Sequence, residues 1–184
     1  MRRRRLPLAR PLLAALLLAA PAAAASIAPL EQSVKAAFLP KFARYIEWPP
    51  AAQPGSGAPL TLCIVGRDPF GETIEQAAAG QRVGAHPIAL RRIASADLAR
   101  GQCQIAFVGG ASRQATAAML GRLAGSPVLT ITDARNGSAR GMIHFVVDDG
   151  RVRFHIDEEQ AARQNLGISS RLLSLALSVK QKPR

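Results

Sequence analysis

The chain has only three histidines among 184 residues, and two of them, His144 and His155, fall in one apolar stretch, "MIHFVVDDGRVRFHID" (142–157), together with Arg151 and Arg153. Imidazole changes charge near neutral pH, and a guanidinium grips carboxylate or phosphate oxygens two at a time. Side by side, these groups would recognise an anion or an acidic partner surface. A His144–His155 pair also raises metal binding. Two imidazoles are too few ligands for a structural zinc, however, and no cysteine or carboxylate is placed by sequence to complete the set. Which of these groups can meet depends on where each side chain points.

Asp149-Gly150 between two alternating apolar runs is a strong hairpin signal. A two-residue type I′ turn there pairs Asp148 with Arg151, Val147 with Val152, Val146 with Arg153, Phe145 with Phe154, His144 with His155 and Ile143 with Ile156. Successive strand side chains alternate faces. One face is then wholly apolar (Ile143, Phe145, Val147, Val152, Phe154, Ile156) and belongs to a core. The other holds His144, Val146, Asp148, Arg151, Arg153 and His155. Besides the metal pair, that face reads either as a recognition surface centred on Arg153 and His155, or as a solvated face. On the solvated reading, an Asp148–Arg151 pair is worth roughly a few tenths of a kcal/mol.

Two further residue types bear on chemistry. Cys63 and Cys103 are the only cysteines. They form a disulfide, which export would favour, or remain as two buried thiols. Trp48, the only tryptophan, sits at a helix end before Pro49-Pro50. It is either a plug of the core or an exposed aromatic anchor of the kind that dominates interfaces.

Signs of catalysis do not converge. Gly66 to Gly71 matches the spacing of a P-loop, but Glu72-Thr73 follow where Lys-Ser/Thr is needed. Gly109-Gly110 before a helix reads as a tight turn more readily than as an anion cradle. No Gly-x-Ser-x-Gly elbow and no dinucleotide fingerprint occur. Asp148-Asp149 suits a turn, and Asp157-Glu158-Glu159 suits a helix N-terminus. No catalytic residue, resident metal or cofactor is assigned. A hydrolase would need a clustered nucleophile that the sequence does not offer.

The elements that must position these groups begin after a leader. "MRRRR", the apolar run Leu12–Ala20 and "PAAAAS" make residues 1–25 a signal peptide, with 26–184 as one domain. Cleavage removes five arginines and no acid, so the net charge falls by five, from +12 to +7. An exported basic chain points to acidic protein surfaces or lipid headgroups rather than nucleic acid.

Residues 30–47 carry a helical stripe, with Pro40 expected to kink the helix or end its first half. Strands are expected at 60–66, 86–93, 103–110 and 127–133. They alternate with helical segments at 69–80, 95–101 and 111–125, the last capped by Ser112. The hairpin follows, then a helix at 158–167 capped by Gly167 and a last, leucine-rich helix at 169–180. This is an α/β fold: a single domain with a mixed, mostly parallel sheet, flanking helices, a C-terminal hairpin and terminal helices. In a flavodoxin-like strand order, the strands of Cys63 and Cys103 are neighbours, as a disulfide needs.

Three segments, "VKAAFLPKFARYIEWP" (34–49), "GMIHFVVDDGRVRFHID" (141–157) and "AARQNLGISSRLLSLA" (161–176), together with "LTLCIVGRDPFG" and "CQIAFVG", resemble the YfiR family of periplasmic proteins. The resemblance implies a non-enzymatic, periplasmic repressor. Its partner would be the periplasmic sensor domain of an inner-membrane diguanylate cyclase, so that it controls cyclic di-GMP and biofilm formation. An outer-membrane lipoprotein could sequester it, and disulfides would make it redox-responsive. Cys63 and Cys103 match the family's core pair, while a second pair known in the family has no counterpart here. On this reading Trp48, His144, Arg151, Arg153 and His155 are the ligand- or partner-binding residues. A homodimer through the leucine-rich C-terminal segment stays open beside core packing. The alternative class is a small-ligand-sensing module serving a histidine kinase or transporter.

Overall fold

Apolar strands separated by helices of one to three turns satisfy their backbone groups by pairing side by side, with the helices laid over the sheet faces. The computed structural model, which describes residues 27–183, has this arrangement, and the signal peptide expected at 1–25 lies outside the described residues. Helix α1 spans Ile27–Phe42 and tightens into a 3₁₀ turn before the two-residue strand β1, Ile46–Glu47. There follow β2 (Leu60–Gly66), α2 (Glu72–Ala78), β3 (Arg82–Val83), β4 (His86–Ile93), α3 (Ala96–Ala99), β5 (Ile105–Gly109), α4 (Arg113–Leu123) and β6 (Leu129–Asp133). The hairpin strands are β7 (Ile143–Asp148) and β8 (Arg151–Asp157). The chain closes with α5 (Glu158–Arg163), β9 (Gly167–Ile168), α6 (Ser170–Leu173) and β10 (Ser178–Lys180).

Eight strands form one mixed sheet in the order β10-β8-β7-β6-β5-β2-β4-β3, and β1 pairs with β9 apart from it. Only β7–β8 and β3–β4 are antiparallel within the large sheet. Its parallel run β2, β4, β5, β6, β7 lies in the doubly wound order 2-1-3-4-5, so β2 and β5 are neighbours as expected.

The sheet has a core on each face. Beneath α1 and α2, Leu39 and Phe42 pack on Leu62, Ile64, Phe107, Ile131, Phe145 and Phe154. Phe42 meets Phe154 edge-on at 5.3 Å and Phe145 at 5.8 Å between ring centroids. Such pairs are worth about 0.5–1.5 kcal/mol beyond their area, and they fix α1 over the hairpin. On the other face, Cys63, Val65, Cys103, Ala106 and Val108 pack against Ala96, Ala99 and Leu123 of α3 and α4.

Doubly wound sheets usually open a ligand crevice where the strand order reverses, here at the ends of β2 and β5. That position is closed by the chain itself. A Cβ on Gly66 would stand 2.5 Å from the Gly109 carbonyl oxygen, and one on Gly110 the same distance from the Thr116 nitrogen. The Gly110 N–H donates to Thr116 Oγ1 and the Arg67 N–H to the Gly109 oxygen, so these donors are spent internally. Gly109-Gly110 is therefore a tight turn.

The C-terminal third departs most from expectation. The helix expected at 169–180 is a single turn, Ser170–Leu173, after which Ser178–Lys180 adds a parallel strand to β8. An open edge on β8 is a stronger sink for backbone groups than an isolated helix, and the Leu177 N–H bond to the Phe154 oxygen starts that ladder. Helix α5 stops at Arg163, where Asn165, at φ +59, supplies the left-handed residue expected of Gly167. Gly167 instead lies in β9, against Glu47. Pro40 sits in the last turn of α1 and ends the helix two residues later rather than kinking its middle. Ser112 does cap α4, accepting from the Ala115 N–H at 3.1 Å.

Candidate functional site

The hairpin folds in the register its turn requires. Asp149 and Gly150 take φ values of +46 and +69. Asp148 opposes Arg151, Val146 opposes Arg153 and His144 opposes His155. The apolar face is buried from Ile143 to Phe145 and from Phe154 to Ile156, but it emerges at the tip, where Val147 is 49% exposed.

The polar face divides in two. Near the tip, Arg151 is exposed and Arg153 half-buried, and neither has a hydrogen-bonding or ionic partner among the described residues. At the base, His144 is only 3% exposed. It lies beside Thr132 of β6, whose hydroxyl meets its Nδ1 at 2.8 Å. A partner surface cannot reach it. His155 is half-buried, and its Nδ1 meets the hydroxyl of Ser178 on β10 at 2.6 Å. Thr132, His144, His155 and Ser178 thus form a row across four strands. All but Thr132 edge a cleft of about 180 Å³ that also takes in Arg140, Gly141, Ile156, Asp157 and Lys180. Arg153 does not line it.

Burial, then the Arg140 charge, lowers the His144 titration to about 4, and the same two causes lower that of His155. The folded state therefore binds fewer protons than the unfolded chain between about pH 6.5 and 4, and stability rises with pH there. Acidification through that window is expected to cost up to about 3 kcal/mol from His144 alone. Urea titrations at several pH values test this: His144→Gln should flatten the slope, and an unchanged slope would refute it.

Trp48 is a core residue, 8% exposed, whose Nε1–H donates to the Gln104 carbonyl at 3.2 Å. Of the two readings of this residue, the plug is the one observed. Cys63 and Cys103 are joined as a disulfide, with Cα atoms 5.9 Å apart. Among the described residues no cluster of three or more His, Cys, Asp or Glu could hold a metal ion.

Two features escaped the sequence. The first is an ionic cluster. Lys35 of α1 is 0% exposed and bonds Glu31 one turn earlier and Asp133 at the end of β6, the latter at 2.7 Å. Arg135 grips both oxygens of Glu31. These bonds, that from Arg135 first, hold the Glu31 carboxyl down to about 2. The second is an apolar cleft of about 400 Å³ between α1 and the hairpin tip, lined by Leu30, Val34, Phe38, Val147 and Val152 with Glu31 and Arg151 at its rim. Leu30 is 66% exposed there. A helical stripe wider than its core contact is the signal that could have found it.

No curated protein matches the chain significantly. The family profile described as YfiR/HmsC-like does match, over residues 32–177, from α1 to the turn before β10. That span takes in both faces of the hairpin, the disulfide and, of the ionic cluster, Lys35, Asp133 and Arg135, and the chain belongs to the YfiR/HmsC-like family.

Proposed function

We propose that this protein is a periplasmic repressor that docks on the sensor domain of an inner-membrane diguanylate cyclase and holds the enzyme inactive. The family is regulatory and non-catalytic, acting on diguanylate cyclases from the periplasm, which supplies the kind of partner. The observation that carries docking is the apolar cleft between α1 and the hairpin tip. Leu30 and Val147 stand in water there beside the half-buried Val34, Phe38 and Val152, and apolar surface rimmed by charge is the usual mark of an interface. Arg151 and the half-buried Arg153 flank this end of the hairpin and would meet acidic groups of the partner.

Control by redox state would then be indirect. The Cys63–Cys103 bridge lies under α3 and α4, on the opposite sheet face from the cleft, so reduction would loosen the scaffold rather than rearrange the docking surface.

The test is capture of membrane proteins by the immobilised protein under oxidising and reducing conditions, read by mass spectrometry. Val147→Asp is expected to weaken capture of the cyclase tenfold or more, in line with an interface anchor of about 2 kcal/mol. Arg153→Ala should weaken it less, and neither should move the melting temperature by more than a degree or two. Undiminished capture by Val147→Asp would place the partner on another face. Capture of a kinase or transporter in place of a cyclase would overturn the partner assignment.

A further inference from the structure

We propose that the recessed cleft at the base of the hairpin, edged by Arg140, His144, His155 and Ser178, binds a small oxyanion of the phosphate or carboxylate type. This goes beyond partner docking and lies on the other face of β7 and β8.

The argument starts from the row of side chains. Each imidazole is held through Nδ1 by a hydroxyl, His144 by Thr132 and His155 by Ser178. Neither Nε2 has a protein partner among the described residues. A hydroxyl both donates and accepts, so each ring keeps its anchoring bond whether neutral or protonated. The rings can therefore take up protons without being released.

The charge around the rings is unbalanced. Lys180 lines the cleft but is engaged by Glu159 at 2.7 Å, with Asp157 at 3.6 Å. Asp157 also caps α5 through the Gln160 N–H. Lys35 and Asp133, which act on His144 from α1 and β6, are bonded to each other. Asp148 acts on His155 from the hairpin tip. Of the lysine and arginine side chains that line the cleft or act on the rings, Arg140 is the one with no ion pair or hydrogen bond among the described residues, and its charge is felt at both rings.

Its backbone is fixed. The Gly141 N–H donates to Thr132 Oγ1 and the Met142 N–H to Thr130 Oγ1. A Cβ at Gly141 would stand 2.7 Å from the Thr130 oxygen, so the strap carrying Arg140 lies flush on β6. An oxyanion in the cleft would receive the guanidinium of Arg140 and the Nε2–H groups of two imidazoles, and would offset the burial and the repulsion that together keep those rings neutral. Binding would thus be linked to proton uptake and would tighten as pH falls. The cleft, about 180 Å³, has room for an anion of a few heavy atoms.

The test is a titration of the full chain with inorganic phosphate at fixed ionic strength, following both imidazoles by NMR. Saturable upward movement of both titrations is expected, and sulfate, whose charge is the same at about pH 5.5 and 7.5, should bind at least tenfold tighter at the lower pH. Arg140→Gln should weaken phosphate at least tenfold and, without phosphate, raise the His144 titration because the nearby charge is gone. Arg140→Lys should restore part of the affinity. Shifts that stay linear to about 50 mM phosphate, as general screening would give, or saturable binding undiminished in Arg140→Gln, would overturn the assignment.

Discussion

Replacing Lys35 with alanine is expected to destabilise the protein by about 3–5 kcal/mol, the range for breaking a buried ion pair from one side. Lys35 is wholly buried between Glu31 and Asp133. Its removal leaves Asp133, 2% exposed, with only the Arg135 backbone N–H at 3.0 Å as compensation. Glu31 keeps Arg135, so the damage falls on Asp133 and on the seam between α1 and β6. The double variant Lys35→Met with Asp133→Asn should recover much of the loss, because a pair removed together leaves no orphaned charge.

Acid should reproduce part of the effect. Glu31 has a folded-state titration well below its usual value of 4.5, so its contribution is complete above about pH 4.5 and is lost as pH falls toward 2. Urea denaturation of the single and double variants decides the matter. A loss below about 1 kcal/mol for Lys35→Ala would place the cluster among ordinary surface pairs. The seam matters for function because Glu31 and Val147 border both the ionic cluster and the apolar cleft. Loosening α1 would therefore blunt docking as well as stability.

What the sequence disclosed and what it hid follow from the range of the interactions involved. The hairpin register was readable because Asp149-Gly150 and strict alternation are local signals, and the observed pairs match it from Ile143–Ile156 to Asp148–Arg151. The adjacency of β2 and β5 rested on supposing a flavodoxin-like strand order, which the sheet has. The burial of His144 was not legible because period two says which side of a strand a residue takes, not what covers that side. Its neighbour Thr132 and the strap at Gly141 come from β6 and the loop before β7. The burial of Lys35 had no local signal, because its partner Asp133 is 98 positions away. The strand β10 was hidden by Leu172, Leu173, Leu175 and Leu177, whose spacing is helical although Leu175 and Leu177 end up exposed. Pairing with a distant edge outweighed local propensity there. Trp48 shows the limit of residue type: plug and anchor need the same side chain, and only the bond to Gln104 distinguishes them.

Removing the disulfide with Cys63→Ala and Cys103→Ala together is expected to lower stability by about 4 kcal/mol, from the chain entropy released when a 40-residue loop is opened. Alanine is the better probe, since serine would add a buried hydroxyl to the loss. Both cysteines are buried in the α3–α4 core, and exchange requires a thiolate to reach a sulfur in line. Reductant should therefore act slowly on the folded protein and quickly once urea opens it, with the rate following the population of open molecules. The cleft proposed to dock the partner is built from α1 and the hairpin tip, so reduced molecules that remain folded should capture the cyclase as well as oxidised ones do. Loss of capture should track loss of folded protein, measured by circular dichroism on the same samples. Capture that collapses on reduction while the fold and midpoint stay intact would mean that the bridge acts on the docking surface directly, against the separation of the two cores across the sheet.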